Sequence, residues 1–204
     1  MLTNYTQMNY LKIKKIGKPY FGYEDISRAL GISRESARVA ATRLVKSGVL
    51  VRAKRNIYVL SERWDSLSIE ESFILANLLQ VPSYISLMTA LSYYEVTTQL
   101  QRDFVESVGH YRTKLVEINK RIFNYSKINK KLYFGFLKNR GFFIASPEKA
   151  FLDACYLTSL KKYNFDLTSI NPGKLNFVKV RAMAKVYPAP VRKLLVKYGY
   201  IKKA

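Results

Sequence analysis

Gly31-Ile-Ser-Arg-Glu-Ser-Ala-Arg-Val-Ala-Ala-Thr-Arg-Leu-Val-Lys-Ser-Gly48 is the stretch on which the fold turns. Two glycines bracket a run of helix length. Ser33 stands where an N-cap hydroxyl is needed, Glu35 lies near the positive end of the helix dipole, and Gly48 suits the turn that ends a helix. At 100° per residue, Ala37, Ala40, Ala41 and Leu44 fall on one side. Glu35, Arg38, Val39, Thr42, Arg43 and Lys46 fall on the other. The small alanines allow close packing against a neighbouring helix. The opposite face offers cations for phosphates and guanine edges, and Val39 and Thr42 suit thymine methyls.

Outward from this run, residues 23–30 read as a short helix with acids at its start and Gly31 at its end. The connection Gly31-Ile32-Ser33 is then as short as a helix-turn-helix requires. Residues 4–15 predict a first helix, with an apolar stripe at Tyr5, Met8, Leu11 and Ile16. After Gly48, residues 49–52 and 57–60 alternate as two strands around the basic turn Ala53-Lys54-Arg55-Asn56. Three helices followed by a basic hairpin predict a winged helix. Its candidate contacts with duplex DNA are Ser33, Arg34, Glu35, Ser36, Arg38, Val39, Thr42, Arg43 and Lys46 on the recognition helix, and Arg52, Lys54, Arg55 and Asn56 on the wing. Arg34, Arg38, Thr42 and Arg43 lead for base readout in the major groove, with Lys54 and Arg55 on the adjacent backbone.

Charge supports a polyanionic partner. The 204 residues carry 35 Lys+Arg against 14 Asp+Glu, a net of +21, more than solubility requires. Residues 1–60 hold a net of +9 and residues 61–204 a net of +12. With 16 Tyr, 11 Phe and 49% hydrophobic residues, the chain has enough apolar material for a core, which argues against disorder. One cysteine excludes an internal disulfide framework. No apolar run reaches 18 residues and no signal-peptide pattern opens the chain, so a cytoplasmic protein without membrane contact is expected.

Residues 61–68 read as a connector, closed by the capping box Ser68-Ile-Glu-Glu71. Two domains are expected, 1–65 and 66–204. The second mixes helices at 69–80, 86–95, 147–161, 174–186 and 189–198 with strands at 103–108, 121–128, 131–138 and 142–145. The fold class is therefore α/β (α+β): an N-terminal winged helix-turn-helix, then a mixed α/β domain with a small sheet.

The second domain offers no catalytic constellation. A single histidine (His110) and a single cysteine (Cys155) exclude a zinc site and a Cys/His nucleophile pair. No glycine-rich phosphate loop is present, and no cofactor or metal is expected. Glu148 and Asp153 are the best acid pair, but five residues apart on one helix they face different directions. Glu148 suits a first-turn dipole partner and Asp153 a buried hydrogen-bonded acid. His110 reads as a surface loop residue and Cys155 as a core residue. Residues 112–140 carry nine Lys/Arg and one Glu, interleaved with Phe123, Tyr125, Tyr133 and Phe134. The alternation in 122–128 favours the inner face of a sheet over a base-stacking platform. Lys120, Arg121, Lys127, Lys130, Lys131, Lys138 and Arg140 have no acids near them in sequence. Lys130 and Lys131 are taken as the second domain's candidate contacts with DNA or with a DNA-bound protomer.

The order of motifs resembles a known family. Phe21-Gly-Tyr-Glu-Asp-Ile26, Gly31-Ile-Ser-Arg-Glu-Ser-Ala-Arg38, Leu44-Val-Lys-Ser-Gly-Val-Leu-Val-Arg52 and Asn56-Ile-Tyr-Val-Leu60 resemble the winged-helix start of AbiEi-family antitoxins. Pro82-Ser-Tyr-Ile-Ser-Leu-Met-Thr-Ala-Leu-Ser-Tyr-Tyr94 and Ile144-Ala-Ser-Pro-Glu-Lys-Ala-Phe-Leu-Asp153 resemble segments of that family's C-terminal domain. The resemblance implies a type IV toxin–antitoxin system of abortive phage infection. It also implies a nucleotidyltransferase-like toxin as functional partner without a stable complex, and autoregulation of the operon.

These readings lead to a repressor and antitoxin that is not an enzyme. It binds an operator with inverted repeats as protomers assembling cooperatively on the DNA. The alternative is an antitoxin that neutralises its toxin by direct binding or by acting on RNA, with DNA binding secondary.

Overall fold

The computed structural model describes residues 4–99 and 101–201, and the chain forms two compact units, Met1–Leu75 and Ala76–Ala204. The first unit begins with α1 (Asn4–Lys14), α2 (Tyr23–Leu30) and α3 (Arg34–Lys46). The hairpin β1 (Leu50–Lys54) and β2 (Ile57–Leu60) follows, then α4 (Ser61–Trp64) and α5 (Ile69–Leu79), which carries the division between the units. Ile13, Phe21, Ile26, Ala37, Ala41, Leu44, Leu50 and Tyr58 form the heart of its core. The two helix ends that border the helix-turn-helix are built as their glycines predict. Gly31 (φ 67°) and Gly48 (φ 75°) both take the left-handed conformation that lets the chain leave the helix.

The first helix corrects the sequence reading. Met8 and Leu11 are exposed, whereas Asn9 and Ile13, one turn apart, are buried. Tyr5 of the expected stripe lies outside the described side chains. Two weak faces compete in α1. Rotating Met8 and Leu11 inward would expose Ile13 and pull the Tyr10 hydroxyl from the Glu62 carboxylate, to which it donates. The connector also differs, because residues 61–64 form a helical turn with Trp64 buried. The capping box after it is present: Glu71 N donates to Ser68 Oγ at 3.1 Å and Ser68 N to Glu71 Oε2 at 3.0 Å. Arg63 holds the same carboxylate at 2.8 Å.

The second unit contains β3 (Tyr84–Ile85), α6 (Leu87–Tyr93), β4 (Phe104–Gly109), β5 (Lys114–Ile118), β6 (Arg121–Lys127), β7 (Phe136–Asn139) and β8 (Phe142–Ala145). The helices α7 (Pro147–Ser159), α8 (Phe177–Ala184) and α9 (Ala189–Lys197) complete it. Its strands form one mixed sheet in the order β5-β6-β4-β3-β8-β7. β4 runs parallel to β6 and β3 parallel to β8, while the β5–β6, β3–β4 and β7–β8 pairs are antiparallel. Two-residue β3 is the bridge that joins the halves of the sheet. β3 and β5 were not expected from the sequence, and the strand expected at 131–138 is a 3-10 turn (Lys130–Leu132) followed by the shorter β7.

Helix α7 is the centre of this unit. It opens on Ser146, whose Oγ accepts from Lys149 N at 3.2 Å, with Pro147 in the first turn. Every residue from Glu148 to Leu157 is buried. Burying Phe151, Leu152 and Leu157 stabilises the unit by roughly 1.5–3 kcal/mol each. Lys149 and Asp153 lie on the same stripe, fully buried and ion-paired to each other.

Candidate nucleic-acid interface

The candidate surface is built from α3 and the wing. Ser33 caps α3, its Oγ accepting from Ser36 N at 3.1 Å and donating to Ser36 Oγ at 3.1 Å. Ser33 and Ser36 thus bond each other at the helix entrance. Inward, Ala37, Ala40, Ala41 and Leu44 are buried. Outward, Glu35, Arg38, Val39, Thr42, Arg43 and Lys46 are exposed. Val39 leaves 51% of its surface in solvent, an unusual setting for a branched apolar residue on a helix. Arg34, also exposed, pairs with Glu24 of α2 at 2.8 Å. The Thr42 hydroxyl donates to the Arg38 carbonyl at 3.0 Å.

The wing is tied to the helices at three points. Phe21 and Tyr58 exchange backbone hydrogen bonds of 3.0 and 2.9 Å, so the segment before α2 pairs with β2. The Tyr58 hydroxyl donates to that of Tyr23 at 3.1 Å. Asn56 Oδ1 accepts from Tyr23 N at 2.6 Å. Gly22 is required there by close approach, since a Cβ would lie 2.9 Å from Asn56 Oδ1 and 3.1 Å from its carbonyl oxygen. Burial, aided by the bond to Tyr23, pushes the Tyr58 phenol up to about 12, and the charges of Arg52 and Arg38 oppose the shift. Those two cations, one from β1 and one from α3, therefore act on one neighbourhood.

Two details of the wing differ from the sequence reading. The turn is two residues, Arg55-Asn56, because β1 extends to Lys54 through an irregularity after Arg52. Asn56 takes φ 62° and turns its side chain back onto α2, leaving Arg55 at the tip. Arg52, Lys54 and Arg55 are exposed. The sequence carried no sign of the Asn56–Tyr23 and Phe21–Tyr58 links, which join segments more than 30 residues apart.

In the second unit, Lys130 and Lys131 are exposed on their 3-10 turn, which Asn129 caps by accepting from Lys131 N at 3.0 Å. Arg121 is a correction: it is buried and pairs with Asp103 at 3.2 Å, an acid 18 positions away in sequence but held beside it by the β4–β6 pairing. His110 is another, half-buried rather than a free surface residue, because its ring stacks on Tyr111 and meets Tyr133 edge-on. Phe123 and Tyr125 are fully buried, as alternation predicts.

Three acids of this unit, Glu106, Glu148 and Asp153, are buried. Glu148 is buried and accepts from Asn176 N at 3.3 Å. Asp153 accepts from the hydroxyls of Tyr84, Ser86 and Tyr187, each at 2.9 Å, as well as from Lys149. Burial lowers the pKa of Lys149 while Asp153 opposes the shift. Burial pushes the Cys155 thiol far up, so it is a core residue with little thiolate character. Glu106, unremarked in the sequence, is 1% exposed, and burial pushes its carboxyl up to about 7. It accepts from Met88 N at 3.1 Å and from the Tyr163 hydroxyl at 3.0 Å. Among the described residues no group of His, Cys, Asp and Glu side chains is arranged to hold a metal ion, and no helix is long and apolar enough to cross a membrane.

Comparison with known proteins agrees with the N-terminal geometry. Residues 11–61 match the family described as transcriptional regulator, AbiEi antitoxin, which bears out the resemblance read from the sequence over that segment. No curated protein matches the chain. Among solved structures, the RV2827C protein from Mycobacterium tuberculosis is similar with a TM-score of 0.60 at 10% identity, covering 94% of this chain and 74% of that one. At that identity the likeness concerns the fold.

Proposed function

We propose that this chain, whose residues 11–61 match the AbiEi antitoxin regulators, is a sequence-specific repressor of its own operon and the antitoxin of a toxin–antitoxin pair. Two protomers occupy an inverted repeat, each placing α3 in the major groove. Arg34, Arg38, Thr42 and Arg43 read base edges, Lys46 contacts a flanking phosphate, and Arg52, Lys54 and Arg55 hold the adjacent backbone. The observation that carries this reading is the division of α3: a packed alanine face, and an outward face that exposes Val39 among three cations. An exposed branched apolar residue between cations suits a thymine methyl in a groove lined by phosphates. The toxin partner, by family resemblance a nucleotidyltransferase-like protein, is countered without a stable complex.

Titration of labelled DNA from the operon's own upstream region, against scrambled DNA of equal length, tests this. Wild type should prefer the upstream DNA. Arg38→Ala should lose about 1–3 kcal/mol on it and relax base preference. If Arg38→Ala binds both DNAs as wild type does, α3 is not the reading element.

A further inference from the structure

The aromatic residues of the second unit include core rings and a set that reaches the surface. Phe123 and Tyr125 fill the core. A second group forms a continuous ladder that reaches the surface at both ends. Tyr111, 63% exposed, stacks on His110 with centroids 4.5 Å apart. His110 meets Tyr133 edge-on at 4.7 Å, Tyr133 meets Phe136 at 4.9 Å, and Phe136 meets Phe143 at 6.2 Å. Phe143, at the far end, is 41% exposed. The ladder is fixed from beneath. Buried Tyr84 stacks on Phe136 at 4.5 Å and touches Tyr133 at 5.3 Å, while its hydroxyl donates to Asp153. Within the ladder, His110 Nδ1 is buried without a hydrogen-bond partner among the described residues.

The surroundings are cationic. Between Glu117 and Glu148 the chain has seven Lys/Arg and no acid, and of these Arg121 is taken by Asp103. Lys130 and Lys131, both exposed, precede Tyr133 by three and two positions. Exposed Lys138 is the cross-strand partner of Phe143, and exposed Arg112 follows Tyr111. Solvent-facing rings set among exposed cations match what unpaired nucleotides require: π faces for the bases and positive charge for the phosphates. A duplex offers its phosphates but keeps its bases stacked, so it would leave the rings unused. An apolar protein partner would use the rings but gain nothing from the cations.

We propose that the Tyr111–Phe143 ladder is a stacking platform for single-stranded nucleic acid, with Arg112, Lys130, Lys131 and Lys138 holding its phosphates. The site is separate from α3 and the wing and does not depend on operator recognition. The buried Lys149–Asp153 pair acts on it at one remove, by fixing the ring of Tyr84 under Phe136.

Fluorescence anisotropy of the full chain with a labelled 12-nucleotide RNA, the same sequence as single-stranded DNA, and a random 12-base-pair duplex tests this. Wild type should bind at least one single strand more tightly than the duplex, and the RNA and DNA arms identify which strand is taken. Tyr111→Ala and Phe143→Ala should each weaken that binding by about tenfold, and Tyr111→Phe should restore it. Tyr111 is mostly exposed and Phe143 partly so, and the fold should survive, as an unchanged thermal transition would verify. Lys130→Gln with Lys131→Gln should lower the slope of log K against log salt by about 0.7 per cation. Arg38→Ala should leave single-strand binding unchanged, which separates this platform from the operator reading. Wild-type binding by both alanine variants, preference for the duplex, or no binding of either strand would overturn the proposal.

Discussion

Asn56 Oδ1 accepts the backbone N–H of Tyr23 at 2.6 Å, across 33 positions of chain. The tip of the wing therefore supplies a partner to one of the donors that a helix N-terminus leaves unsatisfied. The entrance of α2 has a second side-chain acceptor in Asp25, which accepts from Gly22 N at 3.1 Å. The wing and the helix-turn-helix are joined at the point where both would have to meet one DNA site.

Replacing Asn56 separates the two duties of that residue. Asn56→Ala should destabilise the first unit by about 2 kcal/mol, through a lost cap and through strain at φ 62°. Asn56→Gly, which accepts that φ, should lose only about 1 kcal/mol from the cap. Gly22→Ala should also loosen the wing, although its own backbone (φ −118°) tolerates alanine, because the new methyl meets Asn56. Urea unfolding of the three variants checks the order; equal losses for Asn56→Ala and Asn56→Gly would remove backbone strain from the account.

Phosphate contacts and base contacts should separate by salt dependence. Lys46→Gln and Arg55→Gln are each expected to lower the slope of log K against log salt by about 0.9 on duplex DNA. The ratio of operator to scrambled affinity should stay constant for both. A change in that ratio with Arg55→Gln would mean that the wing reads bases.

The buried pair on α7 should respond more to breaking than to removal. Lys149→Met leaves the Asp153 carboxyl without its partner in the core, and Asp153→Asn leaves the Lys149 amine without its own, so each should cost roughly 3–5 kcal/mol. The double variant keeps an acceptor for Tyr84, Ser86 and Tyr187 without a buried charge, and should cost less than the two singles together. A double-mutant cycle by denaturant unfolding measures the difference. Strict additivity would show that the two side chains do not interact.

Glu106 should give stability a pH dependence of definite sign. Its folded carboxyl titrates at about 7 against an ordinary value of 4.5, so between these the folded state holds the extra proton. Its contribution is present below pH 4.5 and is lost as pH rises through 7, a fall of roughly 3 kcal/mol. Glu106→Gln can still accept from Met88 and Tyr163 but has no proton to lose. Subtracting its unfolding free energy from that of wild type across pH 4 to 8 should isolate the fall; a flat difference would refute it.

What the sequence disclosed, and what it hid, follows from how far each signal reaches along the chain. The face of α3 was legible because four inward positions repeat at helical spacing within 13 residues. α1 misled because its apolar residues are few and Asn9, a polar residue, is buried beside Ile13. β3 is two residues long and β5 is a sheet edge with half-exposed residues, so neither leaves a clear alternation. The burial of Lys149 was not legible, since nothing local shows that Asp153, Tyr84 and Tyr187 surround it. The aromatic ladder was hidden for the same reason, its rungs coming from three separated segments.

The two-sidedness of α3 also bears on how such a protein diversifies. Ala37, Ala40, Ala41 and Leu44 fix the spacing of the helix from α2, and none of them faces outward. Arg38, Val39, Thr42 and Arg43 touch little of the scaffold, so exchanging them leaves the hydrophobic interior intact. If α3 reads DNA as proposed, a change of target sequence then takes a few substitutions with small folding penalties.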